Sequence, residues 1–386
     1  MNDEPLDVTE LLADRSVVIA VGSGGVGKTT VSAALALALV ERYDKRVMVL
    51  TVDPAKRLAT TLGLHQMGVD PVPVSSARLR RAGIKPKGEL VAAMLDMKSS
   101  WDRLIERQAP SRDSAERILS NPFYKGISDA FVGSHEFIAM ETLYELWAGK
   151  EYDVVVVDTP PSRNALDFLD APTRMSDFVG GRLLSWLALP MRVGFRGFNF
   201  AATPFLRMAD RLLGSEVLMD LAAFVREIQG LYGGIQKRAA AVYRLLRSEE
   251  CGFVVVTTLE PQAFGEAQFF SDRLRDYHMP LRALIVNRVL PASLLDHGAT
   301  AAATALSEGD RKAVAALRGG ERVGTDAARE LGEAFLILHR LAERDERQVN
   351  RLSAFGRLPV SRLPLAEREV VDIEGLLQLS RILAGG

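Results

Sequence analysis

Gly22, Gly27, Lys28 and Thr29 stand in the string VGSGGVGKTT, residues 21–30, at the spacing G-x-x-x-x-G-K-[ST]. Each residue type has a task in such a loop. Glycines let backbone N–H groups turn inward around phosphate oxygens, and a helix that starts after the loop aims its positive end at them. The Lys28 ammonium reaches β- and γ-phosphates, and the Thr29 hydroxyl can ligate Mg²⁺. The spacing therefore predicts that Gly22, Ser23, Gly24, Gly25, Val26, Gly27, Lys28, Thr29 and Thr30 cradle ATP with Mg²⁺. An incidental glycine turn would not need the strand and the helix that flank this one.

Two carboxylates and one carboxamide end apolar runs further along. In TVDPAKRL (51–58), Asp53 can take a proton from, or orient, the water that attacks a γ-phosphate, or it can cap the helix expected from Ala55. Asp158 follows four valines in VVVVDTPPSRNALDFL (154–169), where it suits an acid on the Mg²⁺ side, usually acting through a water, or a strand-end turn. Asn287 closes LIVN, where it can read an adenine edge or form a turn.

The elements that must position these residues follow from the apolar pattern. SVVIAV (16–21), a helix from about Gly27 to Arg42 and RVMVLTV (46–52) form a βαβ unit, which predicts a parallel sheet. ELVAAMLD (89–96), YDVVVVD (152–158), GFVVVTT (252–258) and LRALIVN (281–287) read as further strands buried on both faces. Most end in Asp, Asn or Thr, at the sheet edge where ligands of doubly wound folds bind. Two long helical inserts lie between them, at about 98–150 and 165–250, and a charged helical stretch fills about 300–350. The expected architecture is one α/β domain over 1–386, a doubly wound, mostly parallel sheet with an inserted α-helical subdomain.

Composition narrows the function classes. Of 386 residues, 48 are basic and 49 acidic, so the whole-chain charge of −1 gives no general attraction to nucleic acid or an anionic membrane. The lone Cys251 can form neither an intrachain disulfide nor a CxxC metal pair. The acidic start, MNDEPLDVTELLADRS, lacks the order of a secretory signal, and no apolar run reaches the length of a membrane span. A cytoplasmic location with no integral membrane segment is the expectation.

Taken together these strings resemble the ArsA-like ATPases, which include the arsenite-pump ATPase and the ATPases that guide tail-anchored membrane proteins, a branch of the deviant-Walker-A class. GSGGVGKTT is similar to that family's GKGGVGKTT except at Ser23, DPAKRL to its switch I, and DTPPSRNALDFLDAP (158–172) to its switch II. The last two strings are most similar to those of actinobacterial members. The resemblance implies that Asp53 is the hydrolytic aspartate beside Lys28, that Thr29 and Asp158 serve Mg²⁺, and that Asn287 reads adenine. LPVSRLPLAERE (358–369) resembles the late loop over the base, which brings in Pro364 and Leu365. Arg163 and Asn164 replace the Gly-His of the family's switch II, and no cysteine set for zinc or arsenite is present.

The family also implies a dimer whose nucleotide state opens and closes an apolar client-binding surface, for which residues 176–215, rich in Phe and Met, are the candidate; a helical core is the alternative. In the family the lysine at the position of Ser23 reaches across the dimer to the partner's nucleotide. Its absence points to a hetero-oligomer with a homologous ATPase that keeps the lysine, or to a regulatory subunit with weak turnover. A ParA/MinD-like positioning ATPase is a third reading, but it should show a basic face or basic terminal helix, and IEGLLQLSRILAGG has one Arg and no Lys.

Overall fold

The computed structural model describes residues 6–52, 57–64, 67, 70–122, 124, 134–159, 215–317, 324–356, 358–366 and 368–386. Its centre is an eight-stranded sheet in the order β3-β4-β2-β5-β1-β6-β7-β8. The strands are β1 (Val17–Val21), β2 (Arg46–Thr51), β3 (Val72–Pro73), β4 (Glu89–Met94), β5 (Val154–Asp158), β6 (Cys251–Thr257), β7 (Leu281–Val289) and β8 (Val360–Pro364). Every neighbouring pair is parallel except β3 with β4 at one edge.

The valine run of β5 shows why such strands lose alternation. Val155 and Val157 enter the core on one face of the sheet and Val154 and Val156 the core on the other, all with no exposure. Helices cover both faces, so no polar residue is tolerated at either phase. On one face lie α1 (Val8–Leu12) and α2 (Lys28–Arg42), followed in the chain by the short α3 (Arg57–Thr61) and α4 (Ser76–Arg81). Helix α2 is rich in Ala and Leu and buried along most of its length, which fits a helix wedged between sheet and surface layer.

The described helices of the two inserts are α5 (Met97–Gln108), α6 (Arg112–Ser120), α7 (Ser134–Gly149) and α8 (Ser215–Arg247), and they pack on one another over the opposite face. Between α7 and α8, Glu141 is 3% exposed and accepts from Arg238 Nε at 2.5 Å. Burial pushes the Glu141 carboxyl up, against the opposing pull of that guanidinium. The remaining helices are α9 (Pro261–Asp276), α10 (His297–Ser307), α11 (Arg311–Ala316), α12 (Thr325–Gly356) and α13 (Ile373–Leu383). Cys251, at the start of β6, is buried, and that burial raises its thiol pKa.

Several expected boundaries move, each for a local reason. The first helix starts at Lys28, because Gly27 is its cap in a left-handed conformation, φ 93°. The strand expected over 89–96 stops at Met94, and Asp96 instead caps α5 by accepting from Ser99 N at 2.7 Å, which holds its carboxyl below the usual range. The strand expected to close at Asn287 runs on to Val289. Asn287 therefore sits inside a strand and is not a turn residue, with a register irregularity against β8 just beyond it. Residues 360–364 of the expected late loop form β8, an edge strand that adds to β7. The charged stretch from 300 is three helices that begin at His297.

Among the described residues no helix is long and apolar enough to cross a membrane. Asp53, Arg163, Asn164 and residues 176–214 of the 176–215 segment lie outside the described residues.

Candidate functional site

Strand β1 ends at Val21 and α2 begins at Lys28, so the glycine loop turns at the carboxyl end of a central strand, beside β5 and β6. Two glycines are required there by space. A Cβ on Gly22 would lie 2.1 Å from the Val256 carbonyl oxygen, and one on Gly27 would lie 2.3 Å from Asn287 Nδ2. The loop is thus clamped between β6 and β7, and only residues without a side chain fit at those two contacts.

Lys28 is 6% exposed, and its Nζ donates to the carbonyl oxygens of Gly22 at 3.0 Å and Ser23 at 2.9 Å. The ammonium is held over the loop that would surround phosphate. Ser23 is itself 7% exposed, and its side chain is too short to reach out of the loop as a lysine could.

Asp158 has no exposure at the end of β5, and its Oδ2 accepts from Thr29 Oγ1 at 2.7 Å and from Thr51 Oγ1 at 2.9 Å. Thr29 comes from the first turn of α2 and Thr51 from the end of β2, so three elements meet on one oxygen. The next residue, Thr159, donates to the Ala20 carbonyl at 2.7 Å and ties this strand end to β1. A threonine hydroxyl beside a carboxylate is a hard oxygen set that suits Mg²⁺, which prefers a few protein oxygens completed by phosphate and water. No group of three or more His, Cys, Asp or Glu among the described residues could hold a metal without such help.

Asn287 Nδ2 donates to the Val26 carbonyl at 2.8 Å, and its Oδ1 accepts from the Arg288 backbone N–H at 3.0 Å. The carboxamide therefore anchors the glycine loop to β7; an amide has a second Nδ2 hydrogen beyond this bond. Arg288 takes φ 60°, a left-handed conformation within β7 at the register irregularity between Val286 and Val289. A cavity of about 860 Å³ opens over the loop, with Lys28, Thr29 and Thr30 at its floor and Asn287, Pro364 and Leu365 at one wall. Arg57, Arg288 and Arg368 also line it. A second cavity of about 560 Å³, walled by Met48, Leu50, Arg103, Arg107 and Arg238, holds none of the motif residues.

The structure thus brings together the loop residues, Asp158, Asn287, Pro364 and Leu365. Sequence reasoning gave no role to Thr51, Thr159, Arg288 or Arg368, whereas Arg57 stood there as a possible substitute for the missing lysine. Thr51 ends a strand two residues before Asp53, which is the one signal that could have marked it; Arg288 follows Asn287 directly and Arg368 lies in the string 358–369, but neither position carries a chemical signature of its own.

A family model described as anion-transporting ATPase matches residues 15–312 of this chain. The chain belongs to the anion-transporting ATPase family. Among curated members it is 24% identical over 302 residues to the ATPase GET3 of Malassezia globosa, covering 76% of this chain and 80% of that protein. It is 26% identical over 278 residues to a protein named as an arsenical pump-driving ATPase in Aquifex aeolicus, covering 71% and 80%. A second protein of that name, from Chlorobaculum tepidum, is 28% identical over 155 residues, 40% of this chain and 35% of that one. The α/β fold of the anion-transporting ATPases is the fold described above, and membership implies nucleotide binding, typically with a divalent metal. The family match ends at residue 312, before α12.

Proposed function

We propose that this chain binds MgATP and hydrolyses it with Asp53 in the cytoplasm, as one member of a nucleotide-linked dimer that governs an apolar client-binding surface. The observation that carries the nucleotide reading is the convergence of Lys28 and Thr29 from the first turn of α2 and Asp158 from the end of β5 at the loop between Gly22 and Thr29. Lys28 would bind the β/γ-phosphates, and Thr29 with Asp158 would hold Mg²⁺, whose charge would offset that of the phosphates. Asn287, Pro364 and Leu365 would flank the adenine, with the Asn287 amide keeping the loop in register. Asp53 would orient the attacking water.

Removing the Lys28 ammonium takes away a charge-assisted contact to phosphate. Lys28→Ala is expected to weaken MgATP binding about tenfold to a hundredfold, roughly 1.5–3 kcal/mol. Calorimetric titration measures this, and an unchanged affinity refutes the site.

The GET3 name of several relatives supports a client that is a membrane-protein segment, with residues 176–215 as its groove. Phe195, Phe198, Phe200, Phe205, Met191 and Met208 give that segment rings and thioethers, which repack around varied partners. Amide exchange of the segment is expected to change when ATP or client is added; protection indifferent to both marks it as core.

A further inference from the structure

The helical pair α10 and α12 follows β7 and carries an apolar face that no described element packs against. Gly332 of α12 lies against the backbone of Ala303 and Ser307 on α10, and His339 Nδ1 contacts the Leu294 carbonyl at 2.7 Å. Further on, Val349 and Leu352 join the core and Glu346 pairs with Arg362 of β8. One side of α12 is thus committed to its own chain. On the other side Leu331, Ile337, Leu338 and Leu341 are 54%, 52%, 41% and 37% exposed. They are four of the seven exposed large apolar side chains among the described residues, and they fall on one stretch of one helix.

Their spacing is that of a helix-pairing seam. Leu331, Ala334, Leu338 and Leu341 are separated by three, four and three residues, with Ile337 beside them. Charges along the same flank are segregated: Glu330 and Glu333 precede Ile337, and Arg340, Arg344 and Arg347 follow it, all exposed. Arg344 reaches only its neighbour Asp345, at 3.0 Å, and stays half exposed. A parallel pairing would set acid on acid. An antiparallel pairing about a two-fold axis beside Ile337 sets Glu330 of one copy opposite Arg344 of the other, since each lies seven residues from Ile337.

We propose that this face is a docking surface for a second copy of the same chain, seated antiparallel on α12. The mixed charges at its rim do not suit an anionic lipid surface, which selects a helix rich in Lys and Arg. The seam spans about 15 Å, so the contact sits at the small end of specific interfaces and is concentration-dependent. It lies on a helix distinct from the glycine loop and needs no nucleotide.

The test is sedimentation of the full-length chain without nucleotide over a series of concentrations. The native chain is expected to self-associate, and Leu338→Glu to abolish this while leaving the circular dichroism melt in place. Glu330→Arg and Arg344→Glu, each changing two symmetric contacts, are each expected to weaken association by roughly tenfold. Mixing the two single variants restores both opposite-charge contacts, so association should return, as it should in the double variant. A native chain that stays monomeric, single variants that behave as native, or a mixture that fails to recover overturns the proposal. So does association that appears only when a homologous chain or anionic vesicles are added.

Discussion

ATP turnover by this chain alone is expected to lie about 10³ to 10⁵ below its turnover when mixed with a homologous ATPase that carries lysine where this chain has Ser23, the range that a cation supplied in trans gives phosphoryl transfer. The serine is 7% exposed and its carbonyl receives the Lys28 ammonium, and a short neutral hydroxyl cannot replace the charge of a lysine that reaches a partner. The homologue's lysine would complete the site built on Lys28 and Asp53, whereas Ser23 would leave the homologue's own site without a trans cation. One fast and one slow site per dimer follows. Steady-state turnover of the chain, of the mixture, and of the mixture with the homologue's lysine changed to alanine measures the effect. Full turnover by the isolated chain, indifferent to any homologue, would sink the hetero-oligomer and turn attention to Arg57, which lines the same cavity.

Asp53→Asn is expected to keep MgATP affinity and to lose about 10² to 10⁴ in single-turnover hydrolysis, the usual worth of a positioned general base. Asp158→Ala should behave differently. Its carboxylate accepts from both Thr29 and Thr51 with no exposure, so its loss would remove the proposed Mg²⁺-side oxygen and both of these hydrogen bonds. The Mg²⁺ concentration needed for half-maximal nucleotide binding should rise for Asp158→Ala and stay unchanged for Asp53→Asn. A variant pair that lowers binding equally, with no separate loss of turnover, contradicts this division of roles.

Of the fold and the site, what could be read from the sequence is what chemistry confines to a few neighbouring residues. The loop from Gly22 to Thr29 is such a case, because strand, glycines, lysine and helix start occupy one short string. The valines of β5 are another, because burial on both faces leaves a continuous apolar run. Residues joined across long separations were not legible. Thr51 reaches Asp158 over 107 positions, and only the parallel register of β2 on β5, which pairs those two residues, brings them together. Asn287 looked like the end of a strand, but β8 extends the sheet beyond β7, and the amide is pulled 261 positions back to the Val26 carbonyl. The short run VSRLP could not announce β8, since an edge strand needs one neighbour and little apolar pattern. The leucines of α12 were visible as residues, but periodicity shows only that a helix has an apolar face. Which part of that face the described chain covers was decided by the packing of α10 along one side, which leaves Leu331, Ile337, Leu338 and Leu341 exposed on the other.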